Sequence, residues 1–169
     1  MTWPHGPQVA DPDLMRLVAR RFPLSAGHFL DIGSGSGANA HELVKRGHSV
    51  VPIDKDPQTP AFHIDIRDAE NIGAPFDCIY DINTLCHVEN PPFEKIKSWL
   101  KPDGYFFSIW PAYGTSERVK EGKDYTRLVT EYDLRLMLTP VFSEVRFGFT
   151  DYRLPDSASY QSWIVEARP

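Results

Sequence analysis

The segment Phe29-Leu-Asp31-Ile-Gly33-Ser-Gly35-Ser-Gly37 decides the fold of this chain of 169 residues. Its apolar start predicts a buried strand over 28–32, its glycines a tight turn over 33–37, and the residues after it a helix over 38–46. Glycine permits positive φ angles and close approach of a ligand to the backbone, and the start of the helix offers free N–H groups. The segment therefore predicts a strand-turn-helix unit suited to a ligand that carries a carboxylate.

Strands and helices continue to alternate away from this unit. The predicted strands cover residues 28–32, 49–53, 62–66, 76–82, 105–110, 144–150 and 160–167. The predicted helices cover residues 12–22, 38–46 and 91–100, with Asp11 and Asn90 as N-caps of the first and third, and Thr130 with Asp133 caps a fourth. A turn is predicted at 101–104. We therefore expect one α/β domain over residues 1–169, with a Rossmann-like, doubly wound, mainly parallel seven-stranded sheet and a C-terminal antiparallel hairpin.

Composition excludes several classes of protein. Hydrophobic residues make up 41% and charged residues 24%, which is ordinary for a globular chain and excludes a disordered one. A net charge of -5 without a basic cluster disfavours nucleic acid as a partner. Cys78 and Cys86 are predicted to be reduced, buried thiols, so neither a disulfide framework nor a metal site is expected. No apolar run approaches the roughly 20 residues that span a bilayer, and no signal-peptide core begins the sequence, so we expect a cytoplasmic protein with no membrane partner.

Acidic residues follow or end three of the predicted strands. Because ligands of open α/β sheets bind at the carboxyl ends of strands, we expect Asp31, Asp54 and Asp65 to face one crevice. A carboxylate at Asp54 suits the two hydroxyls of a ribose, and one at Asp65 suits the amino group of adenine. Asp31 lies where a positively charged amino or sulfonium group would be held.

Five segments in order resemble the class I S-adenosylmethionine-dependent methyltransferases over about residues 26–110. They are residues 30–37 (LDIGSGSG), 51–54 (VPID), 65–68 (DIRD), 76–88 (FDCIYDINTLCHV) and 100–104 (LKPDG). Asn39 and residues 42–48 are similar to the small tellurite-resistance-type methyltransferases in particular. The resemblance implies a chain that binds S-adenosylmethionine and releases S-adenosylhomocysteine.

The resemblance also implies which residues bind the donor. Asp31 and the glycine turn would hold its methionine part, Asp54 the ribose, and Asp65 with Ile66 the adenine. The full set of implied donor contacts is Asp31, Gly33, Gly35, Gly37, Asn39, Asp54, Lys55, Asp65, Ile66, Asp81 and Asn83.

Methyl transfer from a sulfonium needs mainly proximity and alignment, so a general base is optional. If the acceptor must lose a proton, His87 and Asp81 are the candidate bases. The acceptor pocket is expected from residues 1–11 as an N-terminal lid, residues 81–87, and residues 111–129 as an acceptor loop. A single compact domain favours a small-molecule acceptor with an N, O or S nucleophile, and the sequence indicates no oligomeric state.

Other interpretations of these motifs remain open. The glycine turn with Ala38 also fits a permissive dinucleotide fingerprint, which would indicate a NAD-dependent oxidoreductase. Residues 90–93 (NPPF) match the signature of enzymes that methylate amino groups of nucleic acid or protein, but they lie at a predicted helix start and not at a strand end. A catalytically silent protein that only binds the cofactor is the third alternative.

Overall fold

The fold is taken from a computed structural model that describes residues 9–70, 72–112, 128–153 and 159–169. The strands are β1 (His28–Ile32), β2 (Ser49–Asp54), β3 (Phe62–His63), β4 (Phe76–Ile82), β5 (Leu100–Pro111), β6 (Glu144–Arg153) and β7 (Ser159–Arg168). The helices described are α1 (Pro12–Arg21), α2 (Ala38–Lys45), α3 (Phe93–Ser98) and α4 (Glu131–Leu138), with a 3₁₀ helix at Leu85–His87.

All seven strands belong to one sheet in the order β3-β2-β1-β4-β5-β7-β6. β1 to β5 pair in parallel, whereas β7 runs antiparallel to both β5 and β6. The predicted α/β sheet with its C-terminal antiparallel hairpin is confirmed.

Helices cover both faces of this sheet. On one face α1 and α2 bury Leu14, Leu17 and Leu43 against the sheet. On the other face α3 and α4 bury Ile96 and Leu134. The sheet is therefore the middle of three layers, and its parallel strands are apolar because both faces are covered.

Two predicted helix caps are present. The side chain of Asp11 accepts hydrogen bonds from the backbone N–H groups of Asp13 and Leu14, both at 2.9 Å, and Pro12 begins α1. Thr130 and Asp133 form a reciprocal capping box at the start of α4. Both caps satisfy N–H groups that a helix start leaves without partners.

The third helix was predicted too early and too long. α3 starts at Phe93, with Pro92 at the N-cap position and no side-chain cap, so Asn90 does not cap it. A residue before proline is disfavoured in the helical region, and this restriction applies to both Asn90 and Pro91. The chain can therefore enter the helix no earlier than the second proline, and α3 starts directly after it.

The predicted turn at 101–104 is also wrong. These residues lie inside β5, which pairs with β4 at Leu100↔Phe76 and again at Tyr105↔Cys78. Three more residues separate the paired positions on β5 than on β4, so the turn-forming sequence is taken up as a bulge.

The edge strand β3 is very short. The strand predicted over 62–66 is reduced to Phe62–His63, which pairs only with Ile53 and Asp54 at the upper end of β2. Residues 55–61, all of them described, connect β2 to β3 without a helix. A cavity of about 480 Å³ lies beside this connection, between α2 and β2.

Pro52 is tolerated in β2 because its nitrogen, which has no hydrogen to donate, points away from β1. The Ser49 N–H points to β1, where it donates to the carbonyl of Gly27, and the Asp54 carbonyl points to β3, where it accepts from the N–H of Ile64. Since the backbone groups of successive residues point to opposite sides of a strand, the nitrogen of Pro52 faces the β3 side. β3 pairs with Ile53 and Asp54 and does not extend as far as Pro52. Proline therefore removes no hydrogen bond to β1.

Cys78 and Cys86 are buried and free, as predicted. No helix among the described residues has the length and apolar character needed to cross a membrane.

Candidate functional site

The strand order reverses between β1 and β4, and the predicted glycine turn lies at this point. Gly33, Gly35 and Gly37 all have positive φ, at 70°, 54° and 77°. The N–H groups of Gly33 and Ser34 both donate to the carbonyl of Ile53, at 2.8 and 3.0 Å. Open α/β sheets bind ligands at such a reversal, outside the carboxyl ends of the strands.

The turn leads directly into α2. Gly37 is the N-cap residue and provides no side-chain cap, so the first N–H groups of α2 are not satisfied by a cap. Such N–H groups and the helix dipole favour a negatively charged group.

Asp31 lies in the centre of the reversal and is almost fully buried, at 2% exposure. It is paired in register with Tyr80 of β4, and its Oδ2 atom has no hydrogen-bond partner among the described residues. Burial raises the pKa of Asp31 to about 7, the hydroxyls of Tyr80 and Ser34 oppose this rise, and the carboxylates of Asp81 and Asp54 add to it. A buried carboxyl oxygen without a partner favours binding of a cationic group that would satisfy it.

Asp81 is the last residue but one of β4 and is fully buried. Its Oδ1 atom accepts from the backbone N–H groups of Thr84 and Leu85, at 2.8 and 2.9 Å, and its Oδ2 atom accepts from the Ser108 hydroxyl at 2.7 Å. Burial raises the pKa of Asp81 to about 6, against the effect of these three donors. With both oxygens occupied by the protein, Asp81 is poorly placed to take a proton from a substrate.

Asp54 lies at the upper end of β2 and is half-buried. Its two carboxylate oxygens accept from the N–H groups of Gly35 and Asp56, both at 2.9 Å. These contacts fix the carboxylate beside the glycine turn, and each oxygen keeps a lone pair for a ligand. The neighbouring Lys55 is exposed.

Asp65 lies in a turn, because the strand predicted to contain it ends at His63. Its carboxylate accepts from the N–H, Nε and a terminal nitrogen of Arg67, which lowers the pKa of Asp65 to about 2. An aspartate that bonds the N–H two residues on favours a turn over a strand, which accounts for the error. Ile66 follows it and is buried in the core.

Asn83 and His87 lie on the segment after β4. Asn83 has a positive φ of 56°, and its Oδ1 atom is buried without a hydrogen-bond partner among the described residues. His87 is exposed at the end of the 3₁₀ helix. Of the two candidate bases, His87 alone is open to solvent.

Asn39 has a structural contact that the sequence did not indicate. Its Oδ1 atom accepts from the backbone N–H of Asp11 at 2.7 Å, and this ties the start of α1 to the first turn of α2. Residues 1–8 of the predicted lid and 113–127 of the predicted acceptor loop lie outside the described residues.

Three residues of this region were missed by the sequence analysis: Tyr80, Thr84 and Ser108. Tyr80 becomes a neighbour of Asp31 only through the β1–β4 register. A signal did exist for Ser108, which is a polar residue within the apolar run 105–110. Among the described residues, no group of three or more His, Cys, Asp or Glu could hold a metal ion.

A family model described as a methyltransferase domain matches residues 6–142 of the chain. The chain belongs to this family. Ubiquinone biosynthesis O-methyltransferase of Xylella fastidiosa (strain 9a5c) is 30% identical over 126 residues, covering 62% of this chain and 51% of that protein. This methyltransferase-domain chain therefore spans about half the length of the curated relatives it matches.

Solved methyltransferases share its fold. A S-adenosylmethionine-dependent methyltransferase from Methanosarcina mazei has a TM-score of 0.69 at 16% identity, covering 95% of this chain and 98% of that one. The 1,6-didemethyltoxoflavin-N1-methyltransferase of Burkholderia thailandensis, solved with 1,6-didemethyltoxoflavin and S-adenosylhomocysteine, has a TM-score of 0.68 at 16% identity, covering 93% and 77%. The class I methyltransferase fold expected from the sequence is confirmed, whereas the finer likeness to tellurite-resistance-type enzymes stays a prediction.

Proposed function

We propose that this methyltransferase-domain protein binds S-adenosylmethionine and transfers its methyl group to a small-molecule nucleophile. The observation that carries the proposal is the buried carboxyl group of Asp31, whose Oδ2 atom has no hydrogen-bond partner among the described residues, beside the glycine turn at the strand-order reversal. The donor's methionine part carries an ammonium and a carboxylate. Asp31 suits the ammonium, and the uncapped start of α2 suits the carboxylate.

The remaining donor contacts are assigned along the β2 edge of the crevice. Asp54 is held by the Gly35 N–H, so a ribose bound there would lie directly beside the glycine turn. Asp65 and Ile66 are proposed to bind adenine, through the carboxylate and the apolar side chain. The Arg67 side chain would have to share Asp65 with the adenine amino group.

In this proposal the protein accelerates transfer by alignment. The acceptor atom attacks the sulfonium methyl group in line with the breaking C–S bond, and the sulfur leaves as the neutral thioether of S-adenosylhomocysteine. Alignment and exclusion of water supply most of the acceleration because the donor is already activated. If a base is needed, His87 is the better candidate because Asp81 is buried and fully hydrogen-bonded.

A small-molecule acceptor is supported by the names of the relatives. The curated relatives are O-methyltransferases of ubiquinone biosynthesis, and the Burkholderia neighbour is an N-methyltransferase solved with a small heterocycle. One name specifies O-methylation and the other N-methylation, so we assign no nucleophile beyond N, O or S. We further propose that residues 1–169 act as one catalytic domain and that the protein works in the cytoplasm.

The proposal is tested by calorimetry with S-adenosylhomocysteine, S-adenosylmethionine and NAD. We expect both sulfur nucleosides to bind and NAD to give no heat. Asp54→Ala should weaken nucleoside binding by about 10- to 100-fold because it removes charge-assisted hydrogen bonds to the ribose.

Asp56→Ala is the matched control, since it removes the same charge two residues away, where Oδ1 accepts from the N–H of Gln58. We expect it to change the affinity less than about twofold. Heat with NAD alone would overturn the proposal in favour of an oxidoreductase. Nucleoside binding without methyl transfer to any compound in a broad acceptor panel would favour a silent binding protein.

A further inference from the structure

The turn after β4 has a backbone conformation that needs support. Asn83 adopts φ 56°, in the left-handed region that side chains other than glycine enter at a cost. Its N–H donates to the carbonyl of Ile109 at 3.0 Å, so the turn is fixed to β5 on one side. The residues on either side of Asn83 must supply the rest of the support.

Asp81, two residues before Asn83, supports this turn through hydrogen bonds of its side chain. One carboxylate oxygen accepts from two successive N–H groups, those of Thr84 and Leu85, and the other accepts from Ser108 on β5. The carboxylate thus satisfies backbone groups at the start of the 3₁₀ helix and joins the turn to the neighbouring strand. Full burial keeps water from competing for these bonds.

Thr84 carries this support across to the glycine turn. A Cβ atom on Gly33 would lie 2.1 Å from Oγ1 of Thr84 and 2.2 Å from its Cγ2, so the threonine side chain rests directly on the Gly33 backbone. A continuous chain of contacts therefore runs from Ser108 on β5 through Asp81 on β4 and then Thr84 to Gly33, the residue after β1.

We propose that Asp81 is a positioning residue, which holds Thr84 against Gly33 and so fixes the shape of the donor-binding glycine turn. It acts through Thr84 and does not exchange a proton with substrate. The inference rests on the proposed function where donor affinity is its readout.

The first test compares two variants of Asp81 by calorimetry with S-adenosylhomocysteine. Asparagine keeps an oxygen for the N–H groups of Thr84 and Leu85, and its amide can donate to Ser108, so Asp81→Asn should retain the affinity within about twofold. Asp81→Ala removes all three contacts and should weaken binding by at least about 10-fold. Equal affinity of both variants and the wild type would overturn the proposal, because that is the pattern of a residue needed only for proton transfer.

A control separates positioning from general loss of stability. Ile79→Val shortens a fully buried side chain on the same strand. It should lower the melting temperature without changing the affinity for S-adenosylhomocysteine. If Ile79→Val weakens binding as much as Asp81→Ala does, the effect is a general one and the proposal is wrong.

Two further measurements decide the matter if Asp81→Ala fails to fold or if the wild type does not bind the nucleoside. Thr84→Ala keeps the Asp81 carboxylate but removes the Oγ1 and Cγ2 contacts with Gly33. In the protein without ligand it should speed amide exchange of residues 33–37 by about 10-fold. Ser108→Ala leaves the bonds from the Thr84 and Leu85 N–H groups to Asp81 in place. It should therefore speed exchange of the residue 33–37 amides less than Thr84→Ala does. Unchanged exchange at 33–37 in Thr84→Ala would overturn the positioning role, whereas absence of heat with wild-type protein would overturn the proposed function alone.

Discussion

The crevice has a buried centre and an open edge, and aspartates lie in both. In the centre, between β1 and β4, Asp31 and Asp81 are desolvated, and burial raises the pKa of the first to about 7 and of the second to about 6. At the edge, Asp54 at the end of β2 and Asp65 in the turn after β3 are half-buried, and Arg67 lowers the pKa of Asp65 to about 2. The pKa values of Asp31 and Asp81 are thus raised, whereas that of Asp65 is lowered.

The difference shows that burial, and not position at a strand tip, decides what such a carboxylate can do. The central pair is enclosed by full-length strands. Asp81 shapes the site through contacts that packing fixes, and Asp31 keeps one buried oxygen for a cationic group. The edge pair lies where β3 is two residues long, so its carboxylates are reached from solvent and can exchange partners with a ligand.

The largest effect is expected from Gly33→Ala in the centre. The new Cβ atom would meet Thr84 at 2.1 Å and the backbone would be held at φ 70°, so clash and strain add. We expect a loss of at least about 3 kcal/mol in the free energy of unfolding, measured by urea denaturation.

Gly47→Ala is its control. Gly47 also has a positive φ, of 91°, but a Cβ atom there meets nothing within 4 Å. Backbone strain alone should cost about 1 kcal/mol. Equal losses at the two glycines would mean that the centre is not tightly packed.

A pH titration of stability should distinguish the two regions next. The folded-state pKa of Asp31 is raised to about 7, so the folded protein binds its proton more tightly than the unfolded chain does. Its contribution is therefore greatest at low pH and is lost as pH rises through about 7. From pH 5 to pH 8 we expect Asp31 to lower the free energy of unfolding by about 3 kcal/mol, and Asp31→Asn to remove that part of the slope.

Asp65→Asn is the counterpart at the edge. Because the folded-state pKa of Asp65 is lowered to about 2, its contribution is complete above the unfolded pKa and is lost only as pH falls through about 2. The variant should leave the slope between pH 5 and pH 8 unchanged. A change in slope for Asp65→Asn but none for Asp31→Asn would reverse our assignment of the two regions.

The smallest effect is expected from Arg67→Ala. The exposed Arg67 side chain pairs with the edge carboxylate of Asp65, and an exposed pair contributes little stability, so the melting temperature should move by less than about 2 °C. Freed Asp65 should bind adenine slightly better, raising the affinity for S-adenosylhomocysteine by up to about threefold. Arg46→Ala, which breaks the exposed pair with Glu42, is the control and should leave the affinity unchanged.

The sequence predicted the centre of the molecule better than its edge. β1, the glycine turn and β4 were found because apolar strands that are covered on both faces leave a continuous pattern. β3 was overestimated because residues 62–66 alternate like a strand while Asp65 bonds its own turn, a local contact that the pattern does not reveal. The start of α3 was misplaced because Asn90 followed by proline looks like a cap, although the second proline prevents it.

Site residues were predictable by type but not by environment. Asp31 and Asp54 were identified from their places after or within strands, and the structure brings both to the glycine turn. Their partners depend on the register between strands, which the sequence does not specify. Tyr80 beside Asp31 and Ser108 beside Asp81 are examples.

Pro52 also limits how far the sheet can extend. Among the described strands none pairs with β2 below Ile53 on its outer side, so Val50 and Pro52 border an open sheet edge. A strand from another polypeptide that docked there would need N–H donors from β2, and the proline offers none. The same residue that the parallel strand tolerates thus protects the molecule from edge-to-edge aggregation.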